Sequence, residues 1–81
     1  MYRVEYSTEA LKSLKRMPRD LALRITSKVA DLAVEPRAPS NNVKKLVGRP
    51  GYRLRVGNWR VIYELNDAFR VLSVERVAPR G

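Results

Sequence analysis

The stretch KKLVGRPGYRLRVGNWRVIYE, Lys44 to Glu64, decides how this chain folds. Inside it the side chains alternate: Tyr52, Leu54 and Val56 share one face of an extended segment, and Arg53 and Arg55 share the other. Gly57-Asn58 is a two-residue turn signal, and the return from Trp59 to Leu65 alternates again. A turn at that dipeptide predicts the pairs Val56–Trp59, Leu54–Val61 and Tyr52–Tyr63, a continuous apolar face for other elements to cover. On the opposite face Arg55 then lies across from Arg60, and Arg53 across from Ile62. Like charges directly opposed in a sheet are destabilising. The two guanidinium groups therefore either splay apart in solvent at little cost or grip a shared phosphate.

Upstream of the hairpin the pattern is different. Tyr2 to Tyr6 alternates as a short strand, and Ser7 offers an N-cap with Glu9 in the first turn behind it. Leu11, Leu14 and Met17 form the apolar stripe of a helix that stops near Pro18. From Arg19 or Asp20 a second helix places Leu21, Ile25, Val29 and Leu32 on one face. Pro36 and Pro39 end it, and Ser40-Asn41-Asn42 completes a polar loop. Downstream, Asn66-Asp67, with or without Ala68, makes a turn before a last strand from Phe69 to Val77. The order is βααβββ. That predicts an α+β fold, a helical hairpin packed on an antiparallel sheet, in a single domain over residues 1–81.

Charge is unevenly placed on this frame. From Pro36 to Tyr63 the chain runs twenty-eight residues without an acidic side chain, and seven of them are cationic. The net charge is +9, and residues 37–81 hold ten Lys/Arg against three Asp/Glu. Residues 1–36 are closer to balance, seven against five. A surface built only for solubility intersperses the two signs, so the second half carries an electrostatic footprint for an anionic partner. Nucleic acid fits first and an acidic protein second. A membrane fits least, because no basic amphipathic helix carries the excess. Met1 leads directly into a charged, strand-like segment, and no apolar run approaches a membrane span. Together with the absence of cysteine, this makes a cytoplasmic protein the expectation.

The residue inventory narrows the chemistry. Histidine and cysteine are both absent, which removes the commonest general base and any zinc site of the usual kind. The carboxylates are scattered without metal-site spacing, although a pair could meet in space, and no metal or small-molecule cofactor is expected. Gly48, Gly51 and Gly57 are too widely spaced to cradle a nucleotide. An enzyme built from what remains works with Lys, Arg, Tyr and one carboxylate at most. That toolkit suits RNA cleavage, where the substrate's own 2′-hydroxyl is the nucleophile and the protein orients it and neutralises the phosphoryl charge.

KLVGRPGYRLRVGNWRVIYEL, followed by a final strand and Arg-Val-Ala-Pro-Arg-Gly, resembles the RelE family of bacterial toxins, within the RelE/ParE superfamily of type II toxin–antitoxin systems. The hairpin motif K-L-x-G-x-x-x-Y-R-x-R-x-G-x-[aromatic]-R-V-x-Y carries the resemblance, which extends over nearly the whole chain. It implies a metal-independent mRNA endoribonuclease that acts in the ribosomal A site and halts translation. By position, Arg53, Arg55, Arg60 and Arg80 match the family's catalytic set. Their implied roles are orienting the 2′-hydroxyl, stabilising the transition-state phosphate and supporting the leaving group. Lys44, Lys45, Arg49 and Arg76 are the implied RNA and ribosome contacts. Two departures stand out. Many relatives carry lysine where this chain has Arg53 and Arg55, and a guanidinium does not serve as a proton acceptor. Relatives also commonly continue to a tyrosine beyond the last arginine; here the sequence given stops at Gly81.

The resemblance also implies a partner, an acidic, RelB-like antitoxin that folds as it wraps the basic domain. Two rival functions share the sequence features. One is a ParE-like toxin that inhibits DNA gyrase by binding it. The other is a non-catalytic RNA-binding module, against which stand the low aromatic content of 7% and the assignment of Tyr52, Trp59 and Tyr63 to the buried face.

Overall fold

The alternation that runs through the hairpin becomes alternate burial. In the computed structural model, which describes residues 1–80, β3 (Tyr52–Val56) pairs antiparallel with β4 (Trp59–Asn66) in the register expected: Val56 opposite Trp59, Leu54 opposite Val61, Tyr52 opposite Tyr63, and Arg55 opposite Arg60. Leu54, Val56, Val61 and Tyr63 are buried, while Arg53 and Arg55 are exposed. Tyr52 and Tyr63 stack with ring centroids 5.5 Å apart, a cross-strand pair that reinforces this register. In the remaining elements β1 (Arg3–Tyr6) leads into α1 (Thr8–Arg16) and α2 (Arg19–Val34), and β2 (Val43–Lys45) and β5 (Val71–Pro79) complete one sheet of order β1-β5-β4-β3-β2.

Both helices follow from their local signals. Ser7 caps α1, its Oγ accepting the Ala10 N–H at 3.0 Å and donating to the Glu75 carbonyl at 2.6 Å. That second bond ties the start of the helix to β5. Ala10, Leu14 and Met17 are its buried side, while Leu11 is 42% exposed. From α2, Ile25, Val29 and Ala33 pack against Leu54, Val56, Val61, Tyr63, Leu72, Val74 and Val77 of the sheet. Leu21 and Leu32 sit at the margin of that core. One face of the sheet is thus closed by helices.

The sheet departs from expectation in three places. It is mixed, because β1 runs parallel to β5, with Val4 beside Leu72. This contact joins the two ends of the chain, so no local periodicity announces it. It also has a fifth strand. Val43–Lys45 pairs with β3 at the free edge, held by the Arg55 N–H to the Asn42 carbonyl at 2.8 Å. Three residues with two lysines make a weak strand and a blunted edge. Finally, β5 begins at Val71 and not at Phe69. Asp67 to Arg70 form the loop: Asn66 Oδ1 accepts the Phe69 N–H at 3.1 Å, Arg70 takes a positive φ of 52°, and Phe69 is left 77% exposed.

Gly51 shapes the approach to the hairpin. It is buried with φ of 109°, and a Cβ there would lie 2.8 Å from the Tyr63 carbonyl oxygen. Only glycine lets the Leu46–Tyr52 connection close onto β4 in this way.

Two features carry stability predictions. Tyr63 is fully buried and its hydroxyl has no hydrogen-bond partner among the described residues; burial first, and the neighbouring Tyr52 second, push its pKa up to about 12. An unsatisfied buried hydroxyl costs free energy, so Tyr63→Phe is expected to stabilise the fold by about 1 kcal/mol in chemical denaturation. A loss of similar size would mean that the hydroxyl has a partner. The second feature is a latch between the α2–β2 and β4–β5 loops. Arg37 donates to both Asp67 oxygens at 2.9 and 3.0 Å, and the Tyr2 hydroxyl donates to Asp67 Oδ1 at 2.6 Å. The Arg37 hydrogen bond foremost, then that of Tyr2, holds the Asp67 carboxyl below its ordinary range. A depressed folded-state pKa means the latch contributes fully above the unfolded-state pKa and is lost as pH falls through the folded one. Thermal melts should therefore show an acid-side loss of stability that Asp67→Asn reduces; an unchanged acid limb in that variant would remove the latch from the account. Its exposure keeps the effect small.

Candidate functional site

The face of the sheet opposite the helices is open, and strand parity alone decides what stands on it. Arg53 and Arg55 project there from β3, Arg60 and Ile62 from β4, and Arg76 and Ala78 from β5. Lys44 of β2 lies directly opposite Arg53. A bulge adjusts the last strand: Tyr63 pairs with Val74 and Ile62 with Arg76, leaving Glu75 as the extra residue. The polar run Glu75-Arg76 between Val74 and Val77 is the sequence trace of that bulge, since strict alternation would have buried one of the two.

Arg53, Arg55, Arg60 and Arg80 line one cavity of about 470 Å³, with Lys44, Asn41, Asn42 and Asn58 completing its wall. The arginines arrive from three segments: Arg53 and Arg55 from β3, Arg60 from β4 and Arg80 from beyond β5. Arg60 is half-buried on the central part of the sheet, between β3 and β5. Arg55 is steadied by Asn42, whose Oδ1 accepts from Arg55 Nη2 at 3.1 Å. Arg80 is brought in beyond β5 by its own N–H, which donates to the Asn58 carbonyl at 2.8 Å. Asn42 and Asn58 are thus positioning residues that a reading of the loops as mere connectors passes over. Their signal was present: both are turn-forming asparagines flanking the basic strands.

None of these four arginines, nor Lys44 or Arg76, has a carboxylate partner among the described residues. Several cations converging without an internal counterion favour an anion from outside. The aromatic side chains are elsewhere: Tyr52, Trp59 and Tyr63 pack toward the helices. The other sequence-derived contacts divide. Lys45 is opposite Tyr52 and lines a separate depression with Pro36 and Arg37, so adjacent Lys44 and Lys45 serve opposite faces. Arg49 is held by Glu75, Nη2 to Oε1 at 3.4 Å. Arg49 and Arg76 line a second cavity of about 450 Å³ that shares Arg53 and Arg60 with the first. Glu9 and Glu75 also line this second cavity, and past it Glu75 and Glu64 meet in space. A hydrogen bond shared with Glu64, with burial second, holds the Glu75 carboxyl above its usual range. Among the described residues no three acidic side chains group as a metal site would require, and no helix is long and apolar enough to cross a membrane.

Residues 4–81 match the model of the ParE toxin of type II toxin–antitoxin systems. The chain belongs to this toxin family, within the RelE/ParE superfamily. It is therefore a type II toxin. Solved structures agree. A chain of the archaeal RelE–RelB complex from Pyrococcus horikoshii is 32% identical to this toxin, with a TM-score of 0.84 over 99% of this chain and 96% of that one. The RelBE toxin–antitoxin complex from Mycobacterium tuberculosis contributes a match of TM-score 0.83 at 24% identity, covering 98% of each chain. The intact E. coli RelBE complex gives 0.82 at 23%, over 98% of the toxin described here and 96% of its counterpart. The last two show a shared fold. No curated protein matches the toxin by sequence.

Proposed function

We propose that this toxin is a metal-independent endoribonuclease that cuts mRNA on the ribosome, in the cytoplasm, and so stops translation. The observation that supports this most is the convergence of Arg53, Arg55, Arg60 and Arg80 on one open cavity with no carboxylate to neutralise them. A phosphodiester placed there meets cations from β3, β4 and the segment after β5. The 2′-oxygen forms a bond to phosphorus as the bond to the 5′-oxygen breaks, leaving a cyclic phosphate. Negative charge grows on the phosphoryl oxygens during that step, and preorganised guanidinium groups stabilise it. Arg60 and Arg55, directly opposed across the hairpin, take the phosphoryl oxygens; Arg53 orients the ribose and Arg80 supports the departing oxygen. None of the four can accept the 2′-hydroxyl proton. The 2′-hydroxyl proton passes to solvent and the departing 5′-oxygen takes one up; Lys44, the lysine lining the same cavity, is placed to donate it.

The ParE name of the matching family model favours a second reading, inhibition of DNA gyrase by binding alone. A shared fold does not choose between the two. The arginine constellation favours cleavage, since a protein–protein inhibitor has no use for a converging phosphate clamp. A stacking module for RNA is less well supported, because the basic face carries no aromatic platform. On either toxin reading the antitoxin is a RelB-like acidic chain that covers the basic face and orders as it binds.

The deciding experiment pairs two assays on purified toxin. On ribosomes programmed with mRNA, a discrete new 5′ end at the A-site codon is expected, with DNA supercoiling by gyrase unaffected. Inhibited supercoiling with intact mRNA would overturn the proposal in favour of the binding toxin.

A further inference from the structure

The pleat arranges the basic face in rows. Arg55, Arg60 and Ala78 stand across one row, and Lys44, Arg53, Ile62 and Arg76 across the next. Rows two residues apart along a strand are separated by about 7 Å. That is comparable to the separation of consecutive phosphates along an extended single strand. Arg55 lines the first cavity and Arg76 the second, Arg53 and Arg60 line both, and Glu9, Arg49 and Glu75 complete the wall of the second. The third row differs. Glu64 occupies it opposite Ser73, Glu75 stands at the bulge beside it, and Glu75 holds Arg49, the nearby cation, at 3.4 Å.

We infer that this face binds single-stranded RNA as a two-phosphate track, and that Glu75 ends the track by withholding Arg49 from the third phosphate. The inference rests on the RNA-cleaving reading above and adds the length of strand that is held. The scissile phosphate occupies the cavity of Arg55, Arg60 and Arg80. Its neighbour occupies the cavity between Arg53 and Arg76. Glu75 and the Arg49 it engages already form part of that cavity's wall, and Glu64 lies past it, so a further phosphate finds repulsion in place of a partner. Such a limit suits an enzyme that must act on one exposed codon without adhering to longer RNA.

Fluorescence anisotropy with labelled oligodeoxythymidylates tests this, because a 2′-deoxy strand binds without being cut. Dinucleotide, trinucleotide and tetranucleotide carry one, two and three internucleotide phosphates. At low salt the second phosphate should tighten binding about tenfold and the third less than about twofold. Arg76→Ala should abolish the gain from the second phosphate and leave dinucleotide binding near the wild-type value. Glu75→Gln should free Arg49 and make the third phosphate worth about tenfold, a gain that Glu75→Gln combined with Arg49→Ala loses again. Equal increments for every phosphate in the wild type would overturn the inference, as would an unchanged tetranucleotide affinity in Glu75→Gln. The outcomes separate from those of the cleavage assay. A toxin that shows the two-phosphate limit but cuts no mRNA loses only the nuclease reading, and one that cuts mRNA without the limit loses only the track.

Discussion

Replacing Arg60 with alanine is expected to slow ribosome-dependent mRNA cleavage by roughly 10²–10³-fold, with ribosome affinity changed less than about tenfold. The reason is where Arg60 sits. Its strand is hydrogen-bonded on both sides, to β3 and to β5, and of the four arginines it alone is half-buried, so its backbone and the base of its side chain are firmly placed. A group held in advance toward charge that develops during reaction acts mostly in the transition state. Its loss therefore falls on kcat. Arg80→Ala should behave alike, although Arg80 is anchored chiefly through its backbone to Asn58. Single-turnover cleavage on saturating programmed ribosomes measures the rate, and co-sedimentation measures affinity. If Arg60→Ala weakens binding as much as it slows cleavage, the arginine is a docking contact and the catalytic role fails.

Leu54→Ala and Arg55→Ala, neighbours on β3, should separate stability from function. Leu54 is 6% exposed within the core that α2 and β4 close over, so truncation should cost roughly 2–4 kcal/mol from lost burial and an imperfectly refilled cavity. For a domain of 81 residues that is a large share of its total stability. Arg55 is exposed, faces Arg60, and has one hydrogen bond, to Asn42. Losing that exposed bond and relieving the like-charge pair nearly offset each other, so Arg55→Ala should melt within a few degrees of the parent while cleaving poorly. Thermal denaturation of the two variants side by side checks the contrast. A strongly destabilised Arg55→Ala would make the arginine a structural element of the β2–β3 edge.

Much of this molecule was legible in its chain, and the reason is that the legible parts are local. Alternation from Tyr52 to Leu65 around Gly57-Asn58 determined the register of β3 on β4, and with it which arginines share the open face. Ser7, Pro18 and the proline pair at Pro36 and Pro39 bounded the helices, because caps and breakers act within one turn of themselves. The acid-free run from Pro36 to Tyr63 foretold a basic surface, since charge survives any arrangement of the backbone.

What tertiary structure alone decided depends on contacts between distant segments. Parallel pairing of β1 with β5 brings Val4 beside Leu72, a relation no window of sequence contains. β2 is a strand only because β3 offers it an edge, and once it pairs, parity sends Lys44 to the arginine cavity and Lys45 away from it. The bulge at Glu75 turns both Glu75 and Arg76 outward, engages Arg49, and joins two carboxylates that lie eleven positions apart in the chain. Asn42 and Asn58 became supports for Arg55 and Arg80 in the same way. Composition and period set which side chains reach the open face; long-range packing set which of them are free to meet a phosphate there, because a counterion or a positioning hydrogen bond is supplied by whatever the fold places alongside.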